Sequence, residues 1–306
     1  MLPNSNRRRF LKNTLAGVAG LSIGGRAFAQ AGPAPIPLGD KLFLLTGFGG
    51  NVVAHTGADG VLLVDGGSAA RSADLLKAVA ALPGAKPVKT LFNTHWHPEQ
   101  TGSNAALGAA GATIISQENT RLWLQQNITW PWNGQKFAKF PKAAQPNKTF
   151  YDKGALDSSN GGGIQYGYIA DAAHTDGDLY VHFTQQNVLA VGDVMSADGW
   201  PMVDWWTSGW IGGIVGGVQR IQTIANKDTK IVTGRGGVLT FADVATHLDM
   251  YGTIYDRLNQ MINKGRGPSE AVEAKVAKEY EAKMGNADEF IRRSAESLWA
   301  YLSPDA

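Results

Sequence analysis

Thr94-His95-Trp96-His97-Pro98-Glu99-Gln100-Thr101-Gly102 follows an apolar run, Val88 to Asn93, that reads as a β-strand. Two histidines separated by one residue at a strand end point to the same side, because side chains alternate along extended backbone. Both imidazoles can then reach one ion. A third histidine, His174, sits in Ala173-His174-Thr175-Asp176-Gly177-Asp178, a loop just ahead of another predicted strand. Three neutral imidazoles and a water make a tetrahedral zinc site with an open position. The chain has no cysteine, so disulfides, thiolate nucleophiles and cysteine-based zinc sites are all excluded. Any metal must rest on histidine and carboxylate.

Outward from this stretch, strands and helices alternate. Strands are expected at Lys41–Thr46, Asn51–His55, Val61–Val64 and Val88–Asn93. Helices are expected over Ser72–Leu82, roughly Ser103–Ala110 and near Glu118–Gln126, with a strand at Ala112–Ile115. The second half repeats the pattern: strands at Gly163–Ile169, Leu179–Thr184, Val188–Val191 and Lys230–Val232, and a helix near Ile214–Ala225. Thr240 and Asp243 form a capping-box pattern that opens a long helix, and two more helices, Ser269–Lys283 and Ala287–Leu302, close the chain. Residues 30–39 read as a leader into the fold, and residues 30–306 as one α/β domain, a sandwich with helices on both outer faces.

The motifs resemble those of the metallo-β-lactamase superfamily. The stretch from Thr94 to Gly102 is similar to its T-H-x-H-x-D-H-x-G signature. Asp65-Gly66-Gly67-Ser68 after a strand, the His174 loop, Val191-Gly192-Asp193 and Lys230-Ile231-Val232-Thr233-Gly234-Arg235-Gly236 follow in the family's order over roughly residues 40–265. The resemblance implies a four-layered αββα sandwich, with His95, His97, His174 and Asp193 as metal ligands. Three positions depart from the family pattern. Glu99 stands for its aspartate, Gln100 for the next histidine, and Arg235 for the histidine of the last motif. The resemblance puts these three, with Asp193, at a second metal site. Gln100 is a poor zinc ligand and Arg235, always protonated, is none.

The expected cofactor is therefore one zinc ion. Arg235 is expected to supply positive charge and two-pronged hydrogen bonds where a second ion would sit. Glu99, Asp193 and Arg235 are the candidate catalytic residues: general base or proton shuttle, water-orienting group, and anion or oxyanion partner. Asp65 is expected to hold the outer N–H of a ligand histidine. His55, His182 and His247 read as surface or packing residues, with His247 on the polar side of its helix. Trp130, Trp132, Trp200, Trp205, Trp206 and Trp210 are candidates for a substrate wall, with core packing or a dimer contact as equal alternatives.

The expected activity is hydrolysis of a small-molecule ester, amide, lactone or thioester by zinc-activated water. β-Lactams are permitted but not favoured, given the altered positions. The rival is a degenerate periplasmic binding or scaffold protein that keeps the fold. Arg7-Arg8-Arg9-Phe10-Leu11-Lys12, a mildly apolar stretch and Ala27-Phe28-Ala29 have the order of a twin-arginine export signal cleaved near Ala29, which implies a periplasmic protein with no membrane span after cleavage. Without residues 1–29 the formal charge falls from +2 to about −3, so a nucleic-acid partner is not expected.

Overall fold

A computed structural model describes residues 33–156, 163–169 and 172–302. The expected export signal lies outside them. In chain order the first half holds β1 (Ile36–Gly39), β2 (Leu42–Leu45), β3 (Val52–Thr56), β4 (Val61–Val64), α1 (Ser72–Ala80), β5 (Val88–Phe92), α2 (Pro98–Thr101), α3 (Asn104–Ala109), β6 (Thr113–Gln117) and α4 (Glu118–Leu124). A short hairpin, β7 (Ile128–Thr129) and β8 (Lys136–Phe137), leads to β9 (Lys148–Phe150) and β10 (Lys153–Leu156). The second half holds β11 (Ile164–Tyr168), β12 (Leu179–Phe183), β13 (Val188–Ala190), α5 (Ile211–Ile224), β14 (Lys230–Val232), β15 (Val238–Leu239), α6 (Phe241–Ile262), α7 (Pro268–Glu273), α8 (Glu281–Met284) and α9 (Asp288–Leu302).

One sheet has the order β1-β2-β3-β4-β5-β6-β9 and the other β10-β11-β12-β13-β14-β15. The first is antiparallel through β4 and parallel beyond it. Residue alternation then makes the layers. Leu44, Val53, Val64 and Phe92 face Tyr166, Val181 and Val188 across the two sheets. Leu45, Val52, Leu63 and Leu91 turn the other way, onto α1 and α3. Leu189, Val191 and Ile231 back onto α5, α6 and α9. Both faces of β4 and β13 are buried along their length, which is why these strands read as continuous apolar runs. The four-layered αββα expectation is met.

Several boundaries differ. Ile36–Gly39, expected as leader, is an edge strand paired with β2. Its Pro37 is tolerated because an edge strand has one side free of ladder hydrogen bonds. The expected helix 269–283 is broken after Glu273: Lys275 takes φ 50°, left-handed backbone that ends the helix, and a 3-10 turn over Lys278–Tyr280 restarts it. The capping box is present, with Thr240 and Asp243 each bonding the other's backbone N–H. No helix among the described residues is long and apolar enough to cross a membrane.

Candidate metal centre

Strand β5 ends at Phe92, so His95 and His97 lie in the loop beyond it and not on extended strand. Strand alternation is therefore not what aims them. The loop is pinned from both sheets: Thr94 N–H donates to Asp65 Oδ1 at 2.8 Å, and Leu179 N–H donates to the Thr94 carbonyl at 2.9 Å. His97 then caps α2, its carbonyl accepting from the Gln100 and Thr101 amides, with Pro98 in the first turn. His174 arrives from the second half, ahead of β12. Its loop is held by Asp178, which accepts from the Thr175 amide and hydroxyl; burial pushes the Asp178 carboxyl up to about 6.

His95, His97 and His174 are all fully buried, and one nitrogen from each falls within 4.8 Å of the others. The outer nitrogen of each ring has an assigned partner. His97 Nε2 meets Asp204 Oδ2 at 2.9 Å, and His174 Nδ1 meets the Met202 carbonyl. His95 Nδ1 meets Thr94 Oγ1 at 3.1 Å, and that hydroxyl itself donates to Asp65. Carbonyl and carboxylate oxygens only accept, and the Thr94 proton is committed to Asp65, so each ring carries its proton on the outer nitrogen. The inner nitrogens are bare lone pairs. His97 Nδ1 and His174 Nε2 stand 3.2 Å apart with no proton to share, and His95 Nε2 has no partner. Such a set calls for a cation. Burial, followed by mutual repulsion, holds the His95 and His97 pKa values well below the ordinary imidazole range and keeps those lone pairs available.

Asp65 reaches its ligand histidine through Thr94 and not directly. It does so from φ 66°, a left-handed backbone that costs a non-glycine residue roughly 1–2 kcal/mol. Asp193, 1% exposed, brings Oδ2 to 3.8 Å from His95 Nε2, and neither of its oxygens is hydrogen-bonded. Gly234 makes room for it: a Cβ there would overlap Asp193 Oδ1, while Gly192, at φ 58°, lets the backbone pass close to Thr94 Oγ1. Arg235 Nη2 lies 3.8 Å from Asp193 Oδ2. That is an ion pair but not the expected two-pronged hydrogen bond, and Arg235 Nε stays unpartnered. Glu99 is pushed up by burial and then by the nearby Asp193 charge, against a smaller pull from Arg235. Gln100 is fully buried beside Gly234, both its amide atoms unpartnered.

The sequence profile of the metallo-beta-lactamase superfamily matches residues 45–247. The chain belongs to that superfamily. Solved structures of similar fold include a metallo-beta-lactamase from Pontibacter korlensis, 17% identical with a TM-score of 0.56, covering 71% of this chain and 98% of that one. The DIM-1 metallo-beta-lactamase is 15% identical with a TM-score of 0.56, covering 72% and 96%. A stereoselective inverting sec-alkylsulfatase from Pseudomonas sp. is 14% identical with a TM-score of 0.66; it covers 87% of this chain, which spans 50% of the sulfatase. At these identities the likeness is one of fold. A search of curated proteins returned no match.

Within this metallo-beta-lactamase fold, the sequence reading passed over Asp204. It is fully buried and accepts hydrogen bonds from the Thr207 hydroxyl at 2.8 Å and from His97 Nε2 at 2.9 Å. Trp96, between the two histidines, donates its indole N–H to the same Thr207 hydroxyl. The only sequence signal is an aspartate three residues ahead of a threonine, a common turn pattern. The tryptophans divide. Trp130 packs edge-on to His97 at 5.4 Å and Trp132 packs on Trp130 at 5.2 Å, so these two form a wall beside the histidines. Trp200 and Trp210 pack instead against the second-half core. His247, expected on a polar face, is 2% exposed, its ring between the Asp243 and Ser196 carbonyls. His55 is buried against Phe183.

Proposed function

We propose that this chain is a metal-dependent hydrolase that holds one zinc ion and acts on an ester, amide, lactone or thioester. The observation that carries this is the set of three buried imidazoles, one nitrogen of each within 4.8 Å of the others, whose outer nitrogens are engaged by Thr94, Asp204 and the Met202 carbonyl. Membership of a superfamily whose members are mostly metal-dependent hydrolases supports it, as do structural relatives described as metallo-beta-lactamases and an alkylsulfatase.

His95, His97 and His174 would hold a divalent ion, which would supply Lewis acidity and make water a stronger acid at neutral pH. The remaining work belongs to the chain's own groups. Asp193 orients the attacking water beside His95. Glu99, its proton affinity raised by burial, takes up a proton and delivers it to the leaving group. Arg235 offers positive charge to the oxygen that becomes anionic. We read Arg235 and Gln100 as occupying the place of a second ion, because the guanidinium offsets the Asp193 and Glu99 charges. Residues 1–29 are proposed to direct export to the periplasm, and N-terminal sequencing of the mature protein checks that.

The rival reading is a binding or scaffold protein that keeps the fold without turnover, favoured by the replacements at 99, 100 and 235. A panel of esters, lactones, thioesters and lactams, with and without chelator, decides between them. Chelator-sensitive turnover lost in His97→Ala supports the hydrolase. Absence of turnover across the panel overturns it.

A further inference from the structure

The superfamily profile ends at residue 247, and α9 lies beyond it. Yet α9 packs on the wall of the metal centre. Glu296 accepts from the Trp205 indole N–H at 3.0 Å, and Ser297 Oγ accepts from the Ile211 amide. One turn earlier, Arg293 is 9% exposed and lays its guanidinium over the Trp132 ring, 4.2 Å from the ring centroid. Its Nε donates to Glu289, but Nη1 is buried and has no partner. Trp132 Nε1 is likewise buried and unpartnered. From Trp132 the contacts run through Trp130 to His97, ring to ring.

A buried cation with an idle donor costs free energy in a protein that gains nothing from it. Neither Arg293 Nη1 nor Trp132 Nε1 can accept a hydrogen bond, so a group satisfying both must be an acceptor, and beside a guanidinium an anionic one is best. Trp132 and Trp130 line the way from Arg293 to His97, and these rings suit an apolar body attached to the anion.

We propose that Arg293 and Trp132 form a binding site for the oxyanion of an organic substrate, a carboxylate or a sulfonate- or sulfate-like group on an apolar body, whose other end reaches the metal centre. The word substrate rests on the hydrolase reading; the binding of the anion does not. Arg293 is thus a specificity-determining residue supplied by a helix outside the matched family segment.

Calorimetric titration of the zinc-loaded full chain with hexanesulfonate and with hexanoate tests this, with hexanol as the uncharged counterpart. Saturable binding of either anion is expected, with hexanol binding much more weakly. Arg293→Met keeps the aliphatic packing and should weaken the anion by roughly tenfold or more, the worth of a hydrogen bond to a charged group. Trp132→Phe keeps the ring under the guanidinium and removes only the indole N–H, so about a three- to tenfold loss is expected. No saturable binding of either anion, binding equal to that of hexanol, or equal binding by parent and variants overturns the site; an anion that merely coordinates the ion would bind all three proteins alike. If Arg293→Met does not fold, as circular dichroism would show, Trp132→Phe decides alone. The titration needs no turnover, so failure of the ester panel would sink the hydrolase and leave this result standing.

Discussion

Asp204 Oδ2 lies 2.9 Å from His97 Nε2, and neither side chain is exposed at all. The carboxylate fixes which nitrogen of His97 faces inward, and it comes from a loop more than a hundred residues away in the chain. Outer partners of this kind typically carry about 10- to 100-fold in metal affinity. Asp204→Asn removes the charge and leaves an oxygen for the same hydrogen bond. Zinc affinity, measured by competition with a chelating dye, should fall by about tenfold or more; unchanged affinity would mean that the loop alone holds the ring.

The single-ion proposal predicts a designed gain. Parent protein purified without chelator should carry one zinc per chain by elemental analysis. The double variant Gln100→His, Arg235→His should carry two, because it supplies two neutral ligands beside Asp193 and removes the competing cation. Two tightly held ions in the parent would refute the role given to Arg235.

Acid should release the ion late. His95 and His97 have pKa values well below 6.5, burial being the larger cause. Protons therefore begin to compete for these two rings only at lower pH, whereas two ordinary imidazoles would be half protonated at about 6.5 and cost roughly fourfold in affinity there. Zinc titrations at pH 7.5 and 6.5 should differ by less than that. A larger loss would show that these rings titrate as free histidine does.

Helix α6 offers a test of stability away from the centre. The Thr240 amide and hydroxyl hold the Asp243 carboxyl below its usual range. A depressed carboxyl contributes stability above its unfolded value, near 3.9, and loses it as pH falls through the folded value. Asp243→Ala should cost about 1 kcal/mol, or roughly 2–4 °C in Tm, at neutral pH. The gap between parent and variant should narrow below about pH 4. A gap that persists there would show that the ionised carboxylate is not its source, since alanine has the higher helix propensity and would act the other way.

The legible part of the molecule was local. The His95-Trp96-His97 pair, the His174 loop and the Thr240–Asp243 box each occupy a few consecutive residues, and the apolar runs of β3 to β6 carry their burial in their composition. Strand alternation does not account for the convergence of His95 and His97: the hydrogen bonds that Thr94 makes with Asp65 and Leu179 set the loop, and a loop's shape is not written as a period. Trp132 is legible only as one of six candidate wall tryptophans, Asp204 only as part of a common turn pattern, and Arg293 not at all, because their roles exist only once distant segments meet. Ile36–Gly39 was hidden by its proline, which an edge strand accommodates.

His97 and His174 are neighbours in space yet 77 residues apart in the chain, one from each half of the sandwich. An ion gripping both would act as a rivet, closing a long loop and joining the halves at the rim where the sheets meet. Emptying the site should then loosen the whole domain against heat and proteases and not the rim alone, so that the supply of metal would govern how long the protein survives as well as what it can do.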